Sequence, residues 1–141
     1  MLDWQHPRDW SVLVVDDEPD NLDLIVLYFN YLGATVRSAL NGPSGLRCLQ
    51  GFQPDLIMLD LSMPQMDGWE LLQILRSMPS LRHVPIVALT AHAMPADKIK
   101  VKEAGFDGYI TKPLNLPNFM ANLRQTLTTF NSPKEILNAR L

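Results

Sequence analysis

Five side chains able to do chemistry stand at the ends of short apolar runs in this sequence. Asp16 and Asp17 follow Ser11–Val15, Asp60 follows Asp55–Leu59, Thr90 follows Ile86–Leu89, and Lys112 follows Tyr109–Thr111. If those runs are neighbouring strands of one parallel sheet, all five side chains face one crevice. Three carboxylates held close together repel one another, and a hard divalent cation relieves that cost. Magnesium suits such donors: it takes oxygen ligands from one or two carboxylates and completes its octahedron with water or phosphate oxygens. Lys112 adds a compact positive charge for a carboxylate or a phosphoryl oxygen, and Thr90 adds a hydroxyl donor. A carboxylate with those neighbours is equipped to attack phosphorus, while the cation and the lysine offset charge on the transferring oxygens. For any single aspartate after a strand, the plainer reading is a cap for the next helix. A merely structural role would have to hold at all five positions at one end of one sheet, so it is the weaker reading for the set.

The elements that must position these residues are legible as an alternation. Apolar runs rich in β-branched residues (Ser11–Val15, Thr35–Ala39, Asp55–Leu59, Ile86–Leu89, Tyr109–Thr111) alternate with stretches of helical period. Leu22, Ile25, Phe29 and Leu32 define the first helix, stopped by Gly33, and Ser44 to Gln50 a short second one. Leu71, Leu72, Leu75 and Met78 mark a third helix after Asp67-Gly68, and Leu116, Phe119, Met120, Leu123 and Leu127 the last. The fourth, about Ala96 to Ala104, has only Ile99, Val101 and Ala104 to bury, so it is expected to be the most loosely held. Strict alternation implies an α/β fold with a parallel sheet covered on both faces, whose functional crevice lies at the carboxyl ends of the strands.

Composition narrows the function. A chain of 141 residues, 47% hydrophobic and 19% charged, fits one globular domain. The net charge of -3 argues against a nucleic-acid partner. The densest basic stretch, Lys98 to Lys102, is interleaved with apolar residues and reads as a solvated helix face. With one cysteine, Cys48, an intrachain disulfide is excluded, and Cys48 reads as structural. No apolar run nears the roughly 20 residues that span a bilayer, and Met1 to Trp10 lacks a signal pattern. The expectation is a cytoplasmic protein with no membrane contact.

The motifs Val-Val-Asp16-Asp17-Glu18, Leu59-Asp60-Leu-Ser-Met-Pro64-Gln-Met-Asp67-Gly68, Ala-Leu-Thr90-Ala91 and Tyr109-Ile-Thr-Lys112-Pro113-Leu114 stand in the order and spacing of a known family. The chain resembles, over about Val12 to Phe130, the receiver domain of two-component response regulators, including the single-domain chemotaxis type. The resemblance implies a flavodoxin-like three-layer sandwich with strand order 2-1-3-4-5 and five helices. It implies that Asp60 takes a phosphoryl group from a histidine kinase or histidine phosphotransfer protein, as a monomer or weak homodimer acting on a downstream protein target. Asp17 and Asp60 would bind Mg2+ directly with the backbone carbonyl of Ser62, and Asp16 through a water. Lys112 would contact Asp60 before transfer and a phosphoryl oxygen after it, and the Lys112-Pro113 bond is expected to be cis. Thr90 and Tyr109 would form the switch, altering the face made by the fourth helix, fifth strand and fifth helix. Ser62 and His92, two positions after the acceptor and the threonine, would border the path of attacking water.

Rival readings are narrower. Phosphatases of the haloacid-dehalogenase type place a second aspartate two residues after the nucleophile, where this chain has Ser62, and little chain remains for a substrate cap. A receiver-like module that is no longer phosphorylated usually loses an acidic residue or the lysine, and both are kept here. A receiver cut from a hybrid kinase would pass its phosphoryl group to a downstream histidine. The expected organisation is a receiver domain at 11–130, an N-terminal extension at 1–10 anchored by Trp4 and Trp10, and a short C-terminal helix or linker start at 131–141. Ser132, Pro133 and Glu135 make a capping pattern at the start of that last segment. His6 and His83 read as surface residues.

Overall fold

Strands β1 (Ser11–Val15), β2 (Thr35–Ala39), β3 (Leu56–Asp60), β4 (Ile86–Thr90) and β5 (Gly108–Thr111) form one parallel sheet in the order β2-β1-β3-β4-β5. The structure, a computed structural model, describes residues 2–91 and 94–130 of the chain. Helices α1 (Pro19–Tyr31), α2 (Gly42–Cys48), α3 (Gly68–Arg76), α4 (Pro95–Ala104) and α5 (Phe119–Thr129) complete the alternation. The expected strand order is found, and the five expected helices stand among the described residues. His92 and the expected helix at 131–141 lie outside the described residues.

Register is what positions the site. Val15 pairs with Ala39 and Leu59, Asp60 with Leu89, and Thr90 with Thr111. The strand ends that carry chemistry therefore stand level. Alternation along each strand divides the core in two. Val12, Val14, Leu56, Met58, Val87 and Leu89 pack beneath α1 and α5 with Ile25, Phe29, Phe119 and Leu123. Leu13, Val15, Ile57, Leu59, Ile86 and Ala88 pack on the other face with Leu71, Leu72, Leu75, Val101 and Phe106. Each such side chain contributes about 1.5–3 kcal/mol by leaving water, so the central strands are held from both faces. Phe29 and Tyr28 meet Phe119 edge-on at 5.9 and 5.1 Å, locking α1 to α5.

Local chemistry sets the helix starts. Asn41 accepts from Ser44 N–H at 2.8 Å and Asp67 from Glu70 N–H at 2.9 Å, capping α2 and α3. The Asn41 cap and Pro43 begin α2 two residues before the sequence expectation, at Gly42. Met78 falls beyond the end of α3, where Ser77 closes the last turn. Gly105, at φ 110, ends α4 in the left-handed conformation. Among the described residues of α4 only Val101 is fully buried, which matches the expectation of a loosely held helix.

Two devices sit at the amino end of the sheet, away from the crevice. Trp10 is buried directly before β1, its ring edge-on to Trp4 at 5.1 Å, its indole N–H donating to the Asp3 carbonyl at 2.9 Å. Arg124 of α5 lies over Trp4, 5.6 Å from the ring centre. The tryptophans thus close the bottom of the α1–α5 layer. On the opposite face, Arg76 donates to the carbonyls of Val84 (2.9 Å) and Gly105 (3.0 Å) and pairs with Asp107, whose carboxylate also accepts from Ile86 N–H at 2.9 Å. One guanidinium therefore joins the ends of α3 and α4 to the start of β4. Cys48 is half-buried, its thiol donating to the Ser38 carbonyl at 3.6 Å, in keeping with a structural role. His6 is a surface residue as expected, and it bonds the Asp3 carboxylate at 2.9 Å.

Candidate functional site

Asp60 ends β3 with its side chain 4% exposed as a residue and sits beneath the start of α3. One carboxylate oxygen, Oδ1, accepts from Ser62 N–H at 3.1 Å; the other, Oδ2, lies 3.2 Å from Lys112 Nζ. The close fit depends on Gly68, because a Cβ there would stand 2.3 Å from the Asp60 carbonyl oxygen. Asp16, fully buried, accepts from Glu18 N–H through Oδ1 at 2.9 Å and faces Lys112 Nζ through Oδ2 at 3.0 Å. Among the described residues, that second oxygen has an ion-pair partner but no directed hydrogen bond. Asp17 completes the group from the exposed side, and oxygens of Asp16, Asp17 and Asp60 lie within 4.8 Å of one another. The cis Lys112-Pro113 bond is present as expected, directly after β5.

The electrostatics follow from this crowding. Burial, then a hydrogen bond shared with Asp17, then the charge of Asp16 push the Asp60 carboxyl up to about 7; Ser62 N–H and Lys112 pull the other way and do not win. For Lys112, burial works against the charge, yet Asp16 and Asp60 outweigh it and hold the ammonium above its ordinary range. An oxygen-only cluster of three carboxylates, one with a buried oxygen lacking a directed donor, fits a hard divalent cation such as Mg2+. A pH dependence results. The folded state of the metal-free protein favours protonated Asp60 relative to the unfolded chain, so this contribution to stability is complete below about pH 4 and is lost as pH rises through about 7. Chemical denaturation in chelator across that range should show the decline, and Asp60→Asn should flatten it; equal slopes in both proteins would refute the assignment.

Thr90 ends β4, 3% exposed, beside the crevice floor. Tyr109 is buried in the α3–α4 core, with burial first and Asp97 second pushing its phenol up to about 12. Its hydroxyl has no hydrogen-bond partner among the described residues, and its N–H donates to Thr126 Oγ1 of α5 at 2.9 Å. A groove of about 430 Å³ runs along this side, lined by Lys98, Tyr109, Asn122 and Thr126. Asp16, Asp17, Asp60 and Lys112 are thus brought together, Ser62 joins them through its N–H, and Tyr109 stands apart on the edge strand β5, paired with Ala88. Glu18 was noted in the sequence only as part of a motif, yet its Oε2 lies 3.9 Å from Lys112 Nζ. Periodicity carries no signal for that contact, because the two residues come from different loops.

Residues 12–124 match the family model described as the response regulator receiver domain. The sensor histidine kinase GacS of Pseudomonas protegens is 44% identical over 107 residues, covering 74% of this chain, which spans only 12% of that protein. DivK, a polar-differentiation response regulator of Brucella anthropi, is 32% identical over 117 residues, 83% of this chain and 95% of DivK. Among solved structures, the receiver domain of the sensor histidine kinase PA1611 of Pseudomonas aeruginosa superimposes with a TM-score of 0.73 at 28% identity, covering 85% of this chain and 98% of that one. That structure has a magnesium ion coordinated in its active site cleft.

Proposed function

Because the chain belongs to the response regulator receiver domain family, we propose that Asp60 accepts a phosphoryl group from a phosphohistidine on a histidine kinase or phosphotransfer protein. The observation that carries this reading is Asp60 Oδ2 beside Lys112 Nζ at 3.2 Å, inside a cluster of three carboxylates. Mg2+, held by Asp17 and Asp60 with the Ser62 carbonyl and through water by Asp16, would neutralise the carboxylates and polarise the phosphoryl group. An Asp60 oxygen forms the new P–O bond as the P–N bond breaks. The leaving imidazole keeps the electron pair and is protonated from solvent. Lys112 follows the charge from Asp60 Oδ2 to a phosphoryl oxygen, and the Thr90 hydroxyl donates to another. Later attack of water on phosphorus restores the Asp60 carboxylate. The protein is therefore consumed and regenerated by its own phosphorylation, and is no turnover enzyme.

Output is read from α4, β5 and α5. Thr90 drawn toward the phosphoryl group and Tyr109 turning into the vacated space bias two states of that face, which a downstream protein distinguishes. The Tyr109 hydroxyl, without a partner among the described residues, supports a ring able to find one in a second state. The receiver domain at 11–130, cytoplasmic and monomeric or weakly dimeric, with neither nucleic acid nor membrane as partner, is part of the same proposal. The likeness to GacS favours a second reading, a receiver within a hybrid kinase that passes its phosphoryl group on to a histidine. Incubation with acetyl phosphate and Mg2+ should add the mass of one phosphoryl group. Chelator and Asp60→Asn should each abolish the gain. An unmodified protein after every donor tried would leave an unphosphorylated binding module.

A further inference from the structure

We propose that Glu18 is a positioning residue that draws the Lys112 ammonium toward the mouth of the crevice, where a phosphoryl oxygen meets it; the inference rests on the function proposed above. Lys112 Nζ lies among three carboxylates of unequal depth. Asp16 Oδ2 at 3.0 Å and Asp60 Oδ2 at 3.2 Å are buried, whereas Glu18 Oε2, at 3.9 Å, belongs to a side chain 63% exposed. Asp16 and Asp60 hold the ammonium inward, and Glu18, beyond hydrogen-bond reach, attracts it outward by charge alone. A lysine bound only by Asp16 and Asp60 would have to be pulled off both before it could neutralise an incoming phosphoryl group.

Glu18 is built to keep that outer position. It stands at the N-cap of α1 in extended conformation, φ -94 and ψ 106, yet its side chain makes no capping bond to the helix. The same Oε2 that faces Lys112 accepts instead from Asn21 Nδ2 at 2.7 Å. Its backbone N–H meanwhile holds Asp16 Oδ1 at 2.9 Å. One residue therefore holds the inner carboxylate through its main chain and faces the lysine with its side-chain charge. A merely solvated carboxylate would lack the Asn21 bond, and an ordinary cap would bond the helix N–H groups instead. Glu18 acts through Lys112 and touches no reacting atom.

At saturating Mg2+, Glu18→Gln and Asn21→Ala should each slow phosphorylation by acetyl phosphate about threefold, the scale of a partly exposed ion pair. The double variant should be no slower than the slower single one, because both changes undo one contact. Beryllofluoride, a phosphoryl mimic, should bind more weakly by the same factor. In chelator, the nitrogen-15 resonance of the Lys112 ammonium should shift alike in both single variants. Parent-like rates and an unshifted ammonium, or additive losses in the double variant, would overturn the role of Glu18 while leaving the acceptor at Asp60 intact. A parent protein that takes no phosphoryl group would overturn both readings.

Discussion

Lys112→Met should lower the rate of phosphoryl acceptance at Asp60 by about a hundredfold or more. Removing one preorganised partner of a developing oxyanion typically costs about 10²–10³ in rate. Here the ammonium already stands 3.2 Å from the attacking carboxylate, so it is in the crevice before the phosphoryl group arrives. The same change removes the cation facing fully buried Asp16 at 3.0 Å. Breaking a buried pair by deleting one partner costs about 3–5 kcal/mol. Asp60 limits the loss, because a carboxyl already pushed up to about 7 takes a proton rather than bear the unpaired charge. Metal-free stability should thus fall by about 2–3 kcal/mol in chelator near neutral pH. Lys112→Arg should not restore the rate, since a planar fork cannot occupy the place of a compact point charge. Initial rates with acetyl phosphate, read beside urea denaturation, check both parts. A Lys112→Met protein phosphorylated within threefold of the parent would sink the assignment.

Arg76→Met should cost about 2–4 kcal/mol of stability with the chemistry at Asp60 unchanged wherever the protein is folded. Methionine keeps much of the side-chain volume but leaves the carbonyls of Val84 and Gly105 and the Asp107 carboxylate without their donor. Asp107 still accepts from Ile86 N–H, so part of its charge remains satisfied. Because the brace lies at the amino ends of the strands, its loss should separate stability from phosphorylation. Thermal unfolding with parallel mass labelling tests this: a large midpoint drop with full labelling is expected. An unchanged midpoint, or lost labelling in folded protein, would contradict it.

That contrast shows what was legible in the sequence. Asp16, Asp60, Thr90 and Lys112 could be placed because each ends or directly follows a strand whose apolar run announces itself, and a parallel sheet sends all such ends to one side. β1 and β2 were bounded correctly for the same reason. Arg76 and Asp107 were invisible as a pair, lying 31 residues apart on elements whose packing no periodicity encodes. Glu18 was read as a motif member because its reach to Lys112 depends on loop geometry. The short 3-10 turns Pro7–Asp9 and Pro79–Leu81 went unread, since a single turn leaves too little pattern to detect. The tryptophan anchors were anticipated, but their place beneath α1 and α5 came only from the packing of Phe29 and Arg124.

Gly68 has a mechanical consequence. With the first residue of α3 pressed against the Asp60 carbonyl, and Leu61 N–H bonded to the Leu89 carbonyl at 3.1 Å, the main chain under the acceptor is stiff on two sides. A new charge on Asp60 cannot be absorbed by the backbone giving way beneath it. The load passes sideways to the parts that yield, the long Lys112 side chain and the thinly anchored α4. Rigidity under the acceptor and compliance beside it are what would turn a local chemical event into a displacement.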